Sequence, residues 1–227
     1  MLVAGVDGCR VGWVAFKVDL PAHATSVEVV DRPAWLRERL PDLACVGIDI
    51  PIGLLEGPRA CDKAARKLLG QPRGSSVFPI PCRAALRAAT YEEAGSVNRR
   101  KTGRGLSRQA WGIAPKIKQV DDAITSDFQR WAFEVHPEVC FWALNQRRPM
   151  KHNKKAREGI AERIALLRRV FPEIETHLPD RPRGVGVDDL LDAAAAAWTA
   201  LRWYRNEAEC VCTPEHDERG LAVTIYY

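Results

Sequence analysis

The sequence lacks the short motifs that identify several large classes of enzyme. It has no P-loop, no GxSxG nucleophile elbow, no HExxH zinc motif and no GxGxxG dinucleotide fingerprint. These absences argue against P-loop nucleotide hydrolysis, α/β-hydrolase chemistry, zinc proteolysis and Rossmann-type cofactor binding. Its seven cysteines are scattered and form no CxxC pair, which argues against a zinc ribbon and favours a reducing compartment.

The chain also has no long apolar run and no basic leader before its first strand-like segment. A membrane-spanning helix needs about 20 apolar residues, so neither a membrane span nor a signal peptide is expected. Together with the cysteine pattern, this predicts a cytoplasmic protein with no membrane partner.

The composition that remains is typical of a globular protein. The 227 residues are 46% hydrophobic and 28% charged, which fits one domain, residues 1–227, with a sizeable core. The net charge of +5 permits a nucleic-acid partner without requiring one, and the oligomeric state, a homodimer included, is left open. Arginine and lysine are concentrated in residues 59–118, and loops rich in proline and glycine predict an inserted region at about 58–130.

Hydrophobic patterning predicts an α/β fold. Short strands at Leu2–Val6, Gly12–Val18 and Ser26–Val30 predict an antiparallel meander. Apolar runs at Ala44–Ile50 and Arg130–Val135 predict further strands, so that a mixed sheet with helices on both faces is expected. The predicted helices, followed by a predicted last strand, are Pro33–Leu40, Ala60–Leu69, Arg83–Ala89, Lys116–Phe128, Lys155–Val170 and Asp188–Arg205, then Leu221–Tyr226.

Acidic residues stand at costly places in these strands. Asp7 and Asp49 each end an apolar run, and Glu134 lies inside a third. A buried carboxylate is unfavourable unless it is paired or bound to a metal ion, and hard cations such as Mg²⁺ prefer carboxylate oxygens. Capping a turn is the alternative role for Asp7 and Asp49. His136, beside a proline, is more typical of a structural residue.

A further acidic group opens the last predicted helix. Asp188, Asp189 and Asp192 are spaced so that the first and third, and the second and third, share a helix face. Helix capping explains Asp188 well, because acids are favoured at helix starts. It explains Asp192 poorly, since the alanine run that follows predicts close packing of this helix on the sheet. That packing would bring Asp192, with Asp189, to the sheet surface.

Polar residues of the loops are candidates for substrate contact. Ser75 and Ser76 stand in a loop rich in hydroxyls and prolines, which equally fits a rigid structural loop. Lys116 follows a tryptophan in a segment that could contact a phosphate and stack on a base, although that tryptophan could simply be core. The predicted substrate contacts are Arg10, Ser75, Ser76, Arg83 and Lys116.

Together these segments resemble the domain-of-unknown-function family 429, whose members are described as predicted RNase H-like nucleases. More distantly, the order of elements resembles RuvC-type resolvases of the ribonuclease H superfamily. The resemblance covers nearly the whole chain and is carried by seven segments: Gly5–Trp13, Gly47–Gly53, Arg59–Arg66, Ser75–Pro79, Pro115–Ile117, Glu134–Glu138 and Asp188–Ala193.

The resemblance implies a ribonuclease H-like fold that hydrolyses a phosphodiester in DNA or RNA with Mg²⁺ or Mn²⁺. In the RuvC-type plan an Asp on the first strand, an acid on the fourth and an Asp-x-x-Asp-Ala helix hold the metals. Asp7, Asp49, Asp189 and Asp192 match this plan. Asp7 would bridge two ions, Asp49 and Asp192 would each hold one, and Asp189 would orient a water. Glu134 is a further candidate ligand with no firm counterpart in the plan.

Two other functions fit parts of the pattern. The actin-like ATPase superfamily shares the strand meander, with Asp and Gly at the phosphates, so a phosphotransferase is one alternative; no second phosphate loop is found. A non-catalytic nucleic-acid-binding or assembly module, whose acids are remnants, is the other.

Overall fold

The computed structural model describes residues 1–32, 38 and 41–227. The helix predicted over Pro33–Leu40 therefore falls, apart from Glu38, outside the described residues. Among the described residues no helix is long and apolar enough to cross a membrane.

The core of the fold is a mixed five-stranded sheet with the strand order β3-β2-β1-β4-β5. The first three strands are antiparallel, whereas β4 runs parallel to β1 and β5 parallel to β4. This confirms the predicted α/β fold with a mixed sheet of three antiparallel strands followed by parallel strands. The strands are β1 Leu2–Cys9, β2 Gly12–Asp19, β3 Thr25–Val30, β4 Leu43–Ile48 and β5 Ala132–Glu134.

Six α-helices lie in the described part of the chain, and two of them were not predicted. One begins after Thr90, whose hydroxyl accepts a hydrogen bond from the Glu93 N–H, and the other begins at Pro137. Proline is favoured at the first position of a helix, so Pro137 ends the strand and starts the helix. The helices are α1 Ala60–Leu69, α2 Tyr91–Thr102, α3 Arg108–Ala123, α4 Pro137–Leu144, α5 Arg157–Leu167 and α6 Val187–Tyr204.

Helix α6 packs on one face of the sheet through small residues. Its run of five alanines, Ala193–Ala197, is fully buried. A Cβ added at Gly5 would lie 2.0 Å from the Ala197 backbone nitrogen and 2.1 Å from the Ala193 carbonyl oxygen. The missing side chain at Gly5 and the alanines of α6 therefore allow a backbone-to-backbone approach, as the alanine run predicted.

Helix α3 covers the opposite face. Its Ala114, Ile117 and Val120 share a buried cluster with Val6 and Ile48 of the sheet. The helix runs through Pro115 and starts at Arg108, where the Ser107 hydroxyl accepts a hydrogen bond from the Ala110 N–H. The predicted start of this helix at Lys116 was wrong. Pro115 removes one helical hydrogen bond, but the residues on both sides of it stay helical because they pack against the sheet. Part of the predicted inserted region thus forms core with the sheet.

The helix predicted over Ala60–Leu69 has the predicted bounds, whereas some other elements are shorter in the structure than predicted. The helix predicted at Arg83–Ala89 is a 3₁₀ helix over Arg83–Arg87. The predicted last strand is reduced to β7, Ala222–Val223, which pairs with β6, Glu215–His216. Tyr226 then forms an isolated parallel bridge with Val135, which places the end of the chain beside β5.

Candidate metal centre

Three carboxylates from three separate elements meet where β1 and β4 end. The parallel register pairs Val6 with Ile48, and the Asp49 N–H donates to the Val6 carbonyl at 2.8 Å, so Asp7 and Asp49 lie on adjacent strands. Asp192 reaches the same place from the second turn of α6. One oxygen from each of the three aspartates lies within 4.8 Å of the others. The structure therefore brings together three of the residues that the sequence singled out.

The face of the sheet is set by strand alternation. Gly5 of β1 packs against α6, and Asp7, two residues further along, points to the same side. The side chains of Asp7 and Asp192 are almost completely buried, and Asp49 is half-buried. Three acids thus share a small space between the sheet and the helix.

Burial raises the pKa values of all three, and repulsion by neighbouring carboxylates of the cluster adds to it for Asp7 and Asp49. For Asp7 burial is the largest cause of the raised pKa, followed by the Asp49 and Asp192 carboxylates. Burial, with the Asp192 carboxylate, raises the pKa of Asp49 to about 7, and burial raises that of Asp192 to about 6. Desolvation and like charge both disfavour the ionised form, so the cluster is stabilised by any cation that enters it.

One cation, Lys154, already lies at the cluster, and the sequence analysis missed it. Its Nζ donates a hydrogen bond to the Asp192 Oδ2 at 2.5 Å. Although burial opposes it, the Asp192 carboxylate raises the pKa of Lys154, and Asp7 and Asp49 act in the same direction. The signal that the sequence offers is the basic run Lys151–Arg157, which lies between α4 and α5.

Asp189 lies near the three carboxylates but has another partner. Its Oδ2 accepts a hydrogen bond from the Gly186 N–H at 2.9 Å, which caps the first turn of α6. Burial and the Asp49 and Asp192 carboxylates are the larger causes of the raised pKa of Asp7, and the charge of Asp189 raises it further. Asp188 stands 3.9 Å from the Lys155 Nζ at the surface. Asp189 is therefore a helix-capping residue beside the site.

Glu134 is not part of the cluster, contrary to its predicted role as a metal ligand. It pairs in register with Ile48, which faces α3, whereas Val135 belongs to the cluster of apolar residues on the α6 side. Alternation along β5 therefore sends Glu134 to the opposite face. There both of its oxygens lie 2.6 Å from the Arg59 Nη2, and its Oε2 accepts from the Ile52 N–H at 2.7 Å.

Arg83 and the two serines are also engaged in structure rather than free for substrate. Arg83 is buried and forms ion pairs with Asp121 at 2.9 Å, Glu218 at 2.7 Å and Asp217. The Ser75 and Ser76 hydroxyls donate to carbonyls three residues earlier in their own 3₁₀ turn. The guanidinium of Arg83 joins the inserted region to the end of the chain, so it does not offer a phosphate contact.

The two other predicted contacts, Lys116 and Arg10, lie near the turn between β1 and β2. Lys116 donates from Nζ to the Gly12 carbonyl at 2.5 Å and stands 4.5 Å from the centroid of the Trp13 ring. Burial lowers the pKa of Lys116, and Cys9 and then Asp7 oppose this. Arg10 is exposed in the turn between β1 and β2. Lys116 therefore lies close enough to Asp7 for their charges to interact, and Arg10 lies in the turn that follows the strand of Asp7.

Two further polar groups border the site from the start of α4. Glu138 is buried and paired with Arg163, and its Oε2 is buried without a hydrogen-bond partner among the described residues. Beyond burial, its charge adds to the raised pKa values of Asp49 and Asp192. Burial lowers the pKa of His136 to about 4, so its imidazole is neutral at pH 7. His136 is the N-cap of α4 and Glu138 lies in its first turn, so the start of this helix at Pro137 sets both positions.

The donor set of the cluster fits a hard divalent cation. Three carboxylate oxygens gathered from Asp7, Asp49 and Asp192 suit Mg²⁺ or Mn²⁺, which bind oxygen and keep several waters. The Glu138 Oε2, buried without a hydrogen-bond partner in the described part of the chain, is an unsatisfied polar atom at the border of the site.

The raised pKa of Asp49 gives a prediction for the metal-free protein. A carboxyl group whose pKa rises to about 7 on folding destabilises the fold above that pH, and the penalty disappears as pH falls towards the unfolded value of about 3.9. Asp49→Asn should therefore stabilise the protein most at pH 8 and progressively less towards pH 5. Paired thermal melts in EDTA measure this difference, and the variant and wild type share all other titrating groups. A difference that grows as pH falls would contradict the prediction.

Comparison with known proteins identifies a family and one similar structure. A family model described as "Protein of unknown function (DUF429)" matches residues 5–219. No curated protein matches the chain. Among solved structures, the chain is similar to the Thermus thermophilus RuvC structure, with 14% identity and a TM-score of 0.34, over 99% of this chain and 100% of that one.

Proposed function

We propose that this chain, which belongs to the DUF429 family of proteins of unknown function, is a metal-dependent phosphodiester hydrolase acting on DNA or RNA. The observation that carries the proposal is the convergence of Asp7, Asp49 and Asp192 between the sheet and α6. Of these three, Asp192 has an ion-pair partner within the described part of the chain, whereas none is present for Asp7 or Asp49. Burying unpaired carboxylates together is unfavourable unless a bound cation offsets the charge.

In this proposal Asp7, Asp49 and Asp192 hold Mg²⁺ or Mn²⁺. Such an ion supplies neutralising charge for a phosphodiester and lowers the pKa of a bound water. Asp189 fixes the start of α6 and so the position of Asp192, which lies three residues further along the same helix. His136, whose pKa burial lowers to about 4, is neutral at pH 7 and adds no charge beside the site.

The nucleic acid is proposed to bind across the end of the sheet. Lys116 and Arg10 lie near the turn between β1 and β2, and Lys151 is exposed on the loop that carries Lys154. The Arg73 Nη1 donates to the His152 carbonyl at 3.3 Å, so a turn of the inserted region contacts this loop. In this proposal the positive charge of these residues offsets the repulsion between the acidic cluster and phosphates.

Binding of nucleic acid should depend on these cations. We expect the double variant Lys116→Ala/Lys151→Ala to lower the slope of log affinity against log salt by about two, since each lost phosphate contact lowers it by about one. The measurement is a salt titration in Ca²⁺, chosen to support binding without turnover. Lys118→Ala, which removes an exposed lysine paired with Asp122 on the same helix, is the matched control and should leave the slope unchanged. Equal slopes for wild type and the double variant would contradict this placement.

The proposed activity is tested with labelled substrates of several kinds. Single-stranded, duplex and branched DNA, and the corresponding RNAs, are incubated with the protein in Mg²⁺, Mn²⁺ or EDTA. Cleavage in either metal and none in EDTA is the expected result. Binding that is indifferent to metal and gives no product would instead favour a non-catalytic module, and ATP binding without nucleic-acid binding would favour an actin-like phosphotransferase.

A further inference from the structure

Lys154 is built into the carboxylate cluster as a fixed cation. Its Nζ donates to the Asp192 Oδ2 at 2.5 Å, and only 37% of its side chain is exposed. The neighbouring Lys155 differs, because 77% of its side chain is exposed and it stands 3.9 Å from Asp188 at the surface. Two successive lysines thus have different environments, and one of them points into the site.

The loop that carries Lys154 is held in place by the protein. The Lys151 and His152 N–H groups donate to the Glu162 carboxylate at 3.0 and 3.1 Å. A Cβ added at Gly159 would lie 1.9 Å from the Asn153 carbonyl oxygen, so the start of α5 packs directly against this loop. Met150, which opens the loop, is buried in the core under α6. The position of Lys154 is therefore set by packing and hydrogen bonds.

The charges at the site balance with a single divalent ion. Asp7, Asp49 and Asp192 carry three negative charges when ionised, and Lys154 offsets one of them. Glu138 is paired with Arg163, and Asp189 lies outside the group of three oxygens, where its Oδ2 accepts from the Gly186 N–H at the start of α6. One divalent ion neutralises the two charges that remain, whereas a second would leave an excess of positive charge in a largely buried site.

We propose that Lys154 takes the place of the second metal ion, so that the site holds one divalent ion beside an ammonium supplied by the protein. This deepens the proposed function and depends on it, since it concerns the same carboxylates. It replaces the expectation of two ions that came from the resemblance to RuvC-type resolvases. In the complex with substrate, the Lys154 ammonium would be the positioning charge for the phosphate on the side of Asp192.

The test is the number of Mn²⁺ ions bound per chain, measured by titration calorimetry and by electron paramagnetic resonance of free Mn²⁺. We expect one ion for the wild type and two for Lys154→Met. Lys154→Arg, which keeps the charge, and Lys155→Met, the matched control at the next residue, should each bind one. Lys154→Gln is a second neutral variant in case Lys154→Met does not fold, as judged by circular dichroism in EDTA.

The outcomes separate this inference from the proposed activity. Any wild-type count other than one overturns it, and so does a count of one in a folded neutral variant. One ion in the wild type and two in the neutral variant, with no cleavage of any substrate, would leave the inference standing and remove the proposed function. The count needs no substrate, so it does not depend on which nucleic acid is bound.

Discussion

Asp7→Asn is expected to reduce metal-dependent cleavage by about 10³-fold or more and to make the metal-free protein more stable. Losing a factor of 10³ corresponds to about 4 kcal/mol of transition-state stabilisation, which is within what a metal ion supplies. The gain in stability has a separate cause. The Asp7 carboxylate is buried beside Asp49 and Asp192, so a neutral amide relieves both desolvation and repulsion.

Two measurements check this expectation together. Cleavage is followed under single turnover at saturating Mg²⁺ or Mn²⁺, and thermal unfolding is followed in EDTA at pH 8. Asp19→Asn is the matched control, because Asp19 pairs with Leu2 at the other end of the same hairpin. It should change neither quantity appreciably. If Asp7→Asn strongly destabilises the metal-free protein, Asp7 has a structural role, and if cleavage is unaffected, Asp7 does not hold the ion.

Glu134→Gln is expected to destabilise the protein and to leave metal binding unchanged. The free energy of unfolding should fall by about 3–5 kcal/mol. The change leaves the buried Arg59 guanidinium without its closest counter-charge, and breaking one side of a buried ion pair carries a cost of this size. The Asp62 carboxylate, 3.6 Å from the Arg59 Nε, remains as a weaker partner. Mn²⁺ binding by the folded protein should be unchanged, because Glu134 faces away from the cluster.

Urea denaturation in EDTA measures the stability, and Mn²⁺ titration of the folded variant measures the site. The matched control is Glu28→Gln, which removes a partly exposed partner of Lys17 and should cost about 1 kcal/mol or less. If the variant keeps its stability but loses Mn²⁺ binding, Glu134 is a metal ligand, as the sequence analysis predicted.

Asp49 and Glu134 show why residue type and position along an apolar run do not fix a site. Both acids stand in apolar runs, and this pattern makes both of them candidate metal ligands. The register of the parallel strands decides between them, because Ile48 pairs with Glu134 and Asp49 is one residue further along. With a side-chain period of two, that single step separates the two faces of the sheet.

Arg83 and Lys154 show the same limit for cations. Arg83 stands in a segment that looks functional, yet its partners Asp217 and Glu218 come from the far end of the chain. Lys154 stands in an unremarkable basic loop, and packing against α5 brings its ammonium to Asp192. The sequence alone does not show which charged side chains will form ion pairs. Their partners come from segments that are remote along the chain, and only the fold brings those segments together.

The sequence by itself determined the class of fold, the strands that carry Asp7 and Asp49, and the close approach of the last helix. These follow from local properties, namely apolar runs, alternation and the small side chains of Gly5 and Ala193–Ala197. Only the tertiary structure decided that Glu134 faces away from the cluster, that Asp189 caps its helix, and that Lys154 supplies the cation. The physical reason is that burial and Coulomb interactions act over a few ångströms in space, and the packing of the sheet against α6 sets those distances.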